Sequence, residues 1–308
     1  MKVVKNPKYR TLFSGLGVAS VTPFKSDFSV NELAIKNICN YFIKSKVSFV
    51  VVQGTTGESA TLSENEKLFV NDFFIKNLYS KIPLILGIGS NNTNEIISKL
   101  KSFDLSHFDA IMSVCPYYIK PSQSGIIKHF EKVSEHSSKP IILYNVPSRT
   151  GVDMTDETII HLSKSCENII GVKEASSNLG QITKIITETS GNNFKIWSGN
   201  DDETFSIMAL GGHGVVSVAS NIVGLQIRKM IDTFLDGNIK SASKQNKHLL
   251  PLFEALFWIT NPILVKRALN ISGLNVGGLR LPMIDSNQFD AKFSELLSDY
   301  EIDVVNIK

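Results

Sequence analysis

Residues 168–175 read Asn168-Ile169-Ile170-Gly171-Val172-Lys173-Glu174-Ala175. The length and the β-branched side chains fit a short buried strand, interrupted only by Gly171, with Lys173 at its C-terminal end. A lysine in such surroundings loses hydration, which favours the neutral amine. A neutral amine is a nucleophile and forms a Schiff base with a carbonyl substrate. The plain alternative is an ion pair with a nearby carboxylate such as Glu174, the commoner fate of such a lysine. On this stretch alone both readings stand.

Moving outward, the same pattern recurs. A short β-branched run ends in a polar or glycine-rich loop, and an amphipathic segment follows. The other runs are 17–21, 49–52, 83–86, 110–114, 141–144, 195–197 and 214–218. Between them, 30–45 carries Leu33, Ile35, Ile38, Tyr41 and Phe42 at helical spacing. Ser63 and Glu66 form a capping box for the next helix. Thr93 and Asn94 open a helix through Leu100, and Thr155-Asp156-Glu157 opens another with acids in its first turn. Eight strand–helix units predict a parallel sheet closed into a (β/α)8 TIM barrel, with an open doubly wound sheet as the competitor. The expected layout is a polar lead-in over 1–13, a barrel over 14–224, and C-terminal helices over 225–308 packed on it. Within that last segment 225–235, 241–256 and 262–269 read as helical.

The 308 residues are 43% hydrophobic and 20% charged, with net charge +3 and no long run of one sign. That suits a globular protein with a large core and speaks against a nucleic-acid patch. Cys39, Cys115 and Cys166 are far apart and odd in number, which predicts buried reduced thiols rather than a disulfide framework or a zinc site. No apolar run approaches the ~20 residues of a membrane span, and the N-terminus lacks a signal-peptide core. The expected location is cytoplasmic. His213, between two glycines, reads as a structural loop residue.

Barrel chemistry sits at the C-terminal ends of the strands. There the sequence places Thr55, Thr56, Tyr117, Tyr118, Tyr144, Lys173 and the loop Gly199-Asn200-Asp201. Hydroxyls around one lysine suit a carbonyl substrate, the lysine bonding covalently and the hydroxyls relaying protons. No carboxylate pair, Ser-His-Asp set or metal cluster is evident. Gly87-Ile88-Gly89 reads as a tight turn, because no helix with a suitably placed lysine follows. The segment 54–59 fits either a ligand loop or a turn with capping threonines.

The strings GTTGESATL (54–62), PYY (116–118) with KPSQ (120–123), YNVPSRTG (144–151) and GVKEAS (171–176) resemble the dihydrodipicolinate synthase / N-acetylneuraminate lyase family. GGHGVVSV (211–218), NPILVKRAL (261–269) and LRLPM (279–283) agree, so the resemblance spans about Ser14 to Met283 in matching order. It implies a class I aldolase-like lyase condensing pyruvate with L-aspartate semialdehyde, on the way to diaminopimelate and lysine, with no metal or organic cofactor. By the same resemblance Lys173 matches the Schiff-base lysine and Tyr144 the tyrosine that shuttles protons. Thr55 matches the threonine linking that tyrosine to a second one, Tyr118, which the family supplies across a dimer interface. Thr56 matches the holder of the pyruvate carboxylate, and Arg149 the arginine that receives the semialdehyde carboxylate. Gly199 and Val216 match backbone contacts to pyruvate. Sugar-acid aldolases such as N-acetylneuraminate lyase are the alternative. They usually lack the arginine matched by Arg149. A non-catalytic barrel acting as sensor or structural partner is the alternative of another class. Ser59, Ala60, Asn91, Glu95 and Tyr117 match positions where some members bind lysine. Glu64 and Lys67 stand where sensitive members often carry a histidine or an aromatic, which predicts weak or absent inhibition. At least a homodimer is implied, and the family commonly forms a dimer of dimers.

Overall fold

The eight apolar runs are strands in a computed structural model that describes residues 12–302 and Val304. They are β1 (Gly15–Ala19), β2 (Phe49–Val52), β3 (Leu84–Gly87), β4 (Ala110–Val114), β5 (Ile141–Asn145), β6 (Ile169–Glu174), β7 (Lys195–Ser198) and β8 (Gly214–Ser217). They form a closed barrel in sequence order, with β1–β2 and the successive pairs from β3 to β8 parallel. The doubly wound alternative is thereby set aside. β1 begins and ends two residues before the sequence pattern suggests; past its end the amide of Val21 goes to the Asn221 side chain rather than to a strand partner.

Helices separate the strands, and their starts follow local chemistry. Asn31 caps Glu32–Lys44 by accepting from the Ala34 amide. Ser63 and Glu66 make the expected capping box at the head of Glu64–Leu78. Ser122 caps Gln123–His136 and Thr155 caps Asp156–Ser165. Further helices at Thr93–Ser102, Leu179–Thr189 and Thr204–Ala209 complete the alternation, and Ile239–Ala255, Ile263–Ile271 and Asp290–Ser298 follow the last strand. The helix read as starting at Leu225 runs Ser220–Leu235, with non-helical angles at Val223. Among the described residues no helix is long and apolar enough to cross a membrane.

The described chain divides into two units: Leu84–Val216 with the chain up to Ser14, and Gly15–Pro83 with the chain from Ser217 on. In the first, β5 and β6 set the geometry that matters most. Ile141 pairs with Ile169, but Ile142 pairs with Gly171, so the register slips past Ile170. The slip places Tyr144 directly opposite Lys173. Gly171 is required by packing. A Cβ there would lie 2.3 Å from the Lys195 carbonyl and 2.5 Å from the Trp197 ring. The Trp197 indole donates to the Phe13 carbonyl at 2.6 Å, and Phe13 is fully buried. The expected polar lead-in thus ends in a core residue. Residues 1–11 of that lead-in lie outside the described residues.

In the second unit the helix Ser220–Leu235 packs on β1. Asn221 donates to the Ala19 carbonyl at 2.9 Å, and the Gly224 amide donates to the Tyr41 hydroxyl at 2.6 Å. A Cβ at Gly224 would stand 3.0 Å from that hydroxyl, so glycine lets the helix come close. The three cysteines are free and buried as expected, and burial pushes Cys39 and Cys115 up to about 12, which keeps them unreactive thiols.

Candidate active site

In the unit holding β3–β7, Lys173 is the penultimate residue of β6, 6% exposed, with Nζ 4.3 Å from the centre of the Tyr144 ring. The pairing follows from the β5–β6 register. The ring covers the amine and limits its access to water. Gly199, just after β7, borders the same lysine. A Cβ there would lie 2.7 Å from the Ala175 Cβ and 3.2 Å from the Lys173 Cε. Glycine at 199 therefore leaves the lysine arm its room. Val216 is fully buried on β8.

Glu174 takes a different course from its neighbour. Alternate residues of a strand face opposite sides. Its carboxylate accepts from Asn145 Nδ2 at 3.1 and 3.2 Å and from the Ser176 amide at 2.9 Å. Asn145 also donates to Asp153 Oδ1 at 2.6 Å, and its own oxygen accepts from the Met154 amide. The network ties the loop after β5 to the end of β6. Burial, opposed by these hydrogen bonds, pushes Glu174 up to about 7.

That loop carries Arg149 in the short helix Pro147–Thr150, exposed at its surface, with Gly151 closing the turn at φ 75°. Tyr118 is 85% exposed at φ 73°, its amide donating to the Thr150 carbonyl. Asn200 donates to Ser177 and Glu203, so it braces its loop. Gly87-Ile88-Gly89, read from the sequence as a tight turn, instead prolongs β3: Gly87 ends the strand, the Ile88 amide donates across to the Met112 carbonyl, and Gly89 lies against Val114. His213 is structural, its Nδ1 accepting from the Ile196 amide at 3.2 Å.

The other unit holds the loop after β2. Thr55 is exposed and Thr56 is 2% exposed. The Gly57 amide donates to the Gly54 carbonyl and the Glu58 amide to the Thr55 carbonyl, giving two successive tight turns. Thr22 donates to the Gly57 carbonyl at 2.7 Å, and a Cβ on Gly57 would meet Thr22 Oγ1 at 3.3 Å. Asn261 Nδ2 donates to Thr56 Oγ1 at 2.9 Å. Two residues on, Glu58 is fully buried and pairs with the equally buried Lys266 at 2.5 Å. Glu58 also accepts from the Arg280 amide, and the Arg280 guanidinium reaches Phe28, Thr61 and Glu66. Burial pushes Lys266 down to about 8 against the pull of Glu58.

Asn261, Lys266 and Arg280 were legible only as parts of quoted strings with no role attached. The signal for Lys266 was a charge set among Ile263, Leu264, Val265, Ala268 and Leu269 in a helix otherwise apolar on that face. Of the positions matched to lysine binding, Asn91 donates to the Tyr117 carbonyl at 3.2 Å. Glu95 is already engaged, by Lys99 at 2.7 Å and by Ser90 at 2.7 Å. Ser59 and Ala60 lie in a turn of 3-10 helix, Ser59–Thr61. Lys67 is paired with Glu64 at 2.8 Å.

The chain matches the model of the dihydrodipicolinate synthetase family over residues 12–299. A 4-hydroxy-tetrahydrodipicolinate synthase of Thermoanaerobacter sp. (strain X514) is 40% identical over 290 residues, 94% of this chain and 97% of that protein. Among solved structures, dihydrodipicolinate synthase from Cyanidioschyzon merolae with lysine bound superposes with a TM-score of 0.90 at 38% identity, over 94% of this chain and 98% of that one. A monomeric dihydrodipicolinate synthase variant gives a TM-score of 0.91 at 35% identity, over 94% of this chain and 97% of its own.

Proposed function

The chain belongs to the dihydrodipicolinate synthetase family, and on that premise we propose how its own residues divide the work of condensing pyruvate with L-aspartate semialdehyde. It is a lyase of the class I aldolase type, with the activity of a 4-hydroxy-tetrahydrodipicolinate synthase. The observation that carries the reading is the buried Lys173 amine lying over the Tyr144 ring, with Gly199 keeping its arm clear.

In this reading the Lys173 amine attacks the C2 carbonyl of pyruvate and gives a carbinolamine. Loss of water gives the imine, with Tyr144 passing protons to and from the departing hydroxyl. A proton then leaves the pyruvate methyl and the enamine forms. Its C3 attacks the aldehyde carbon of the semialdehyde, and the aldehyde oxygen takes a proton. The amine of the second substrate adds to C2, the Lys173 nitrogen leaves, and the ring closes with the lysine regenerated. Thr56 holds the pyruvate carboxylate. Arg149, exposed and able to bind a carboxylate through two parallel N–H bonds, receives the semialdehyde. Thr55 and Tyr118 extend the proton path, and Gly199 and Val216 offer backbone contacts.

Tyr118 stands 85% exposed on the single chain and is flanked in sequence by the exposed Tyr117 and Ile119, a run of apolar surface of the kind that marks an interface. We read it as the residue given to a partner subunit, so the active form is at least a dimer, with a dimer of dimers the family's common form. The setting is cytoplasmic biosynthesis. For lysine feedback we keep the expectation of a weak response. Lys99 already occupies Glu95, and the Lys67–Glu64 pair adds a cation close to an anion rather than an aromatic wall. Micromolar inhibition in a lysine titration would refute it.

A coupled assay with both substrates and the downstream reductase tests the function. Turnover in the wild type that disappears in Lys173→Ala supports it. A well-folded wild type without turnover rejects it and sends the search to sugar acids.

A further inference from the structure

We propose that Asn261 is a positioning residue for the Thr56 hydroxyl, so that the segment after the barrel helps the site select an anionic keto acid. The proposal rests on the reading of Thr56 as the group that holds the pyruvate carboxylate. A hydroxyl has one proton to give and two lone pairs. Asn261 Nδ2 donates to Thr56 Oγ1 at 2.9 Å, with Asn261 5% and Thr56 2% exposed. That bond takes one lone pair, so the hydroxyl proton turns away from Asn261 and is left for an acceptor such as a carboxylate. Without the amide donor the hydroxyl is free to rotate and to spend its proton on the protein.

The loop's backbone is fixed independently, which leaves the Thr56 rotor as the freedom to be set. Thr22 holds the Gly57 carbonyl, and Lys266 and the Arg280 amide hold the Glu58 carboxylate. Lys266 lies on the helix Ile263–Ile271, which begins after Asn261-Pro262, and its Nζ also donates to the Gly278 carbonyl at 2.8 Å. One stretch of chain therefore grips Thr56 and Glu58 at two points, 205 residues away from Thr56 in sequence. The grip on Glu58 explains the loop's shape. The contact at Thr56 explains where its hydroxyl points.

The test is a double-mutant cycle of Asn261→Ala and Thr56→Val, reading KM for each substrate, kcat and the melting temperature. Loss of the single amide donor is expected to raise KM for pyruvate about three- to tenfold, with KM for the semialdehyde within about twofold. In the Thr56→Val background the Asn261→Ala effect on pyruvate KM is expected to vanish. Asn261→Asp, which accepts the hydroxyl proton instead of donating, is expected to raise pyruvate KM further than alanine does. If the Asn261→Ala effect is the same with and without the Thr56 hydroxyl, or if kcat and melting temperature fall while pyruvate KM holds, the proposal is overturned. Asn261→Leu, closer in volume, replaces alanine should that variant fail to fold. If neither folds, Asn261 is scaffold and the positioning role falls. A wild type with no turnover overturns the reading of the function itself, whereas turnover with an additive cycle overturns the role of Asn261 alone.

Discussion

At the scale of single residues, Lys173 and Glu174 are neighbours in sequence with opposite tasks. The sequence left open whether they pair with each other. Strand alternation separates them, and the Glu174 carboxylate is taken by Asn145 and Ser176. Glu174 ordinarily titrates near 4.5 and is pushed up to about 7 by burial. The folded state therefore holds its proton more tightly than the unfolded state. Its contribution to stability is best below about 4.5 and is lost as pH rises through about 7. Glu174→Gln is expected to flatten that dependence and to gain on the wild type by about 2–3 kcal/mol between pH 5 and pH 8. Parallel urea melts across this range would show it, and equal slopes in both proteins would refute it. Gly199→Ala is expected to lower kcat/KM by about a hundredfold or more, because its Cβ displaces the Lys173 arm. An active Gly199→Ala enzyme with unchanged pyruvate KM would contradict that crowding. Lys173, Tyr144 and Gly199 could be picked out beforehand, since each lies at or just beyond the end of a strand-like run. The Asn145–Asp153–Glu174 network could not, because nothing local says where a buried carboxylate finds its donors.

At the scale of elements, the strands were readable because β-branched runs of four to six residues have few other uses, and the helix starts because Asn31, Ser63 and Thr155 cap locally. The segment 261–280 was not readable in the same way. Its work is done by Lys266 and Arg280 on partners more than 200 residues away. Removing one member of the buried Glu58–Lys266 pair leaves a charge without its counter-ion. Lys266→Met is expected to cost about 3–5 kcal/mol, and adding Glu58→Gln to restore most of it. A double variant no more stable than Lys266→Met would show that packing, not charge, was lost. The surface end of the same cluster behaves differently. Arg280 first, then the Ser63 cap, hold Glu66 down to about 2 from an ordinary 4.5. That stabilisation is fully present above about 4.5 and disappears as pH falls through about 2. Glu66 is partly solvated, so the loss in Glu66→Gln is expected to be only on the order of 1–2 kcal/mol at pH 7. It should fade toward pH 2 in thermal melts. A penalty constant from pH 7 to pH 2 would rule out the ionic origin.

At the scale of the whole molecule, the alternation of strand and helix was enough to foresee a closed eight-stranded barrel, since the order of strands in space follows their order in the chain. What the alternation does not carry is assembly. An 85% exposed Tyr118 in a left-handed backbone conformation makes sense as a side chain lent to another subunit. Sedimentation at working concentration is expected to show a dimer or larger, and Tyr118→Phe to reduce kcat while leaving the assembly intact. A fully active monomer would remove Tyr118 from the proton path. The central claim is covalent: Lys173 forms an imine with pyruvate. The direct measurement is borohydride reduction of the enzyme with pyruvate, followed by peptide mass spectrometry. One reduced pyruvate adduct on Lys173, absent from Lys173→Ala and from enzyme treated without pyruvate, is the predicted result. An adduct on another lysine, or none on a folded enzyme that turns over, would contradict it.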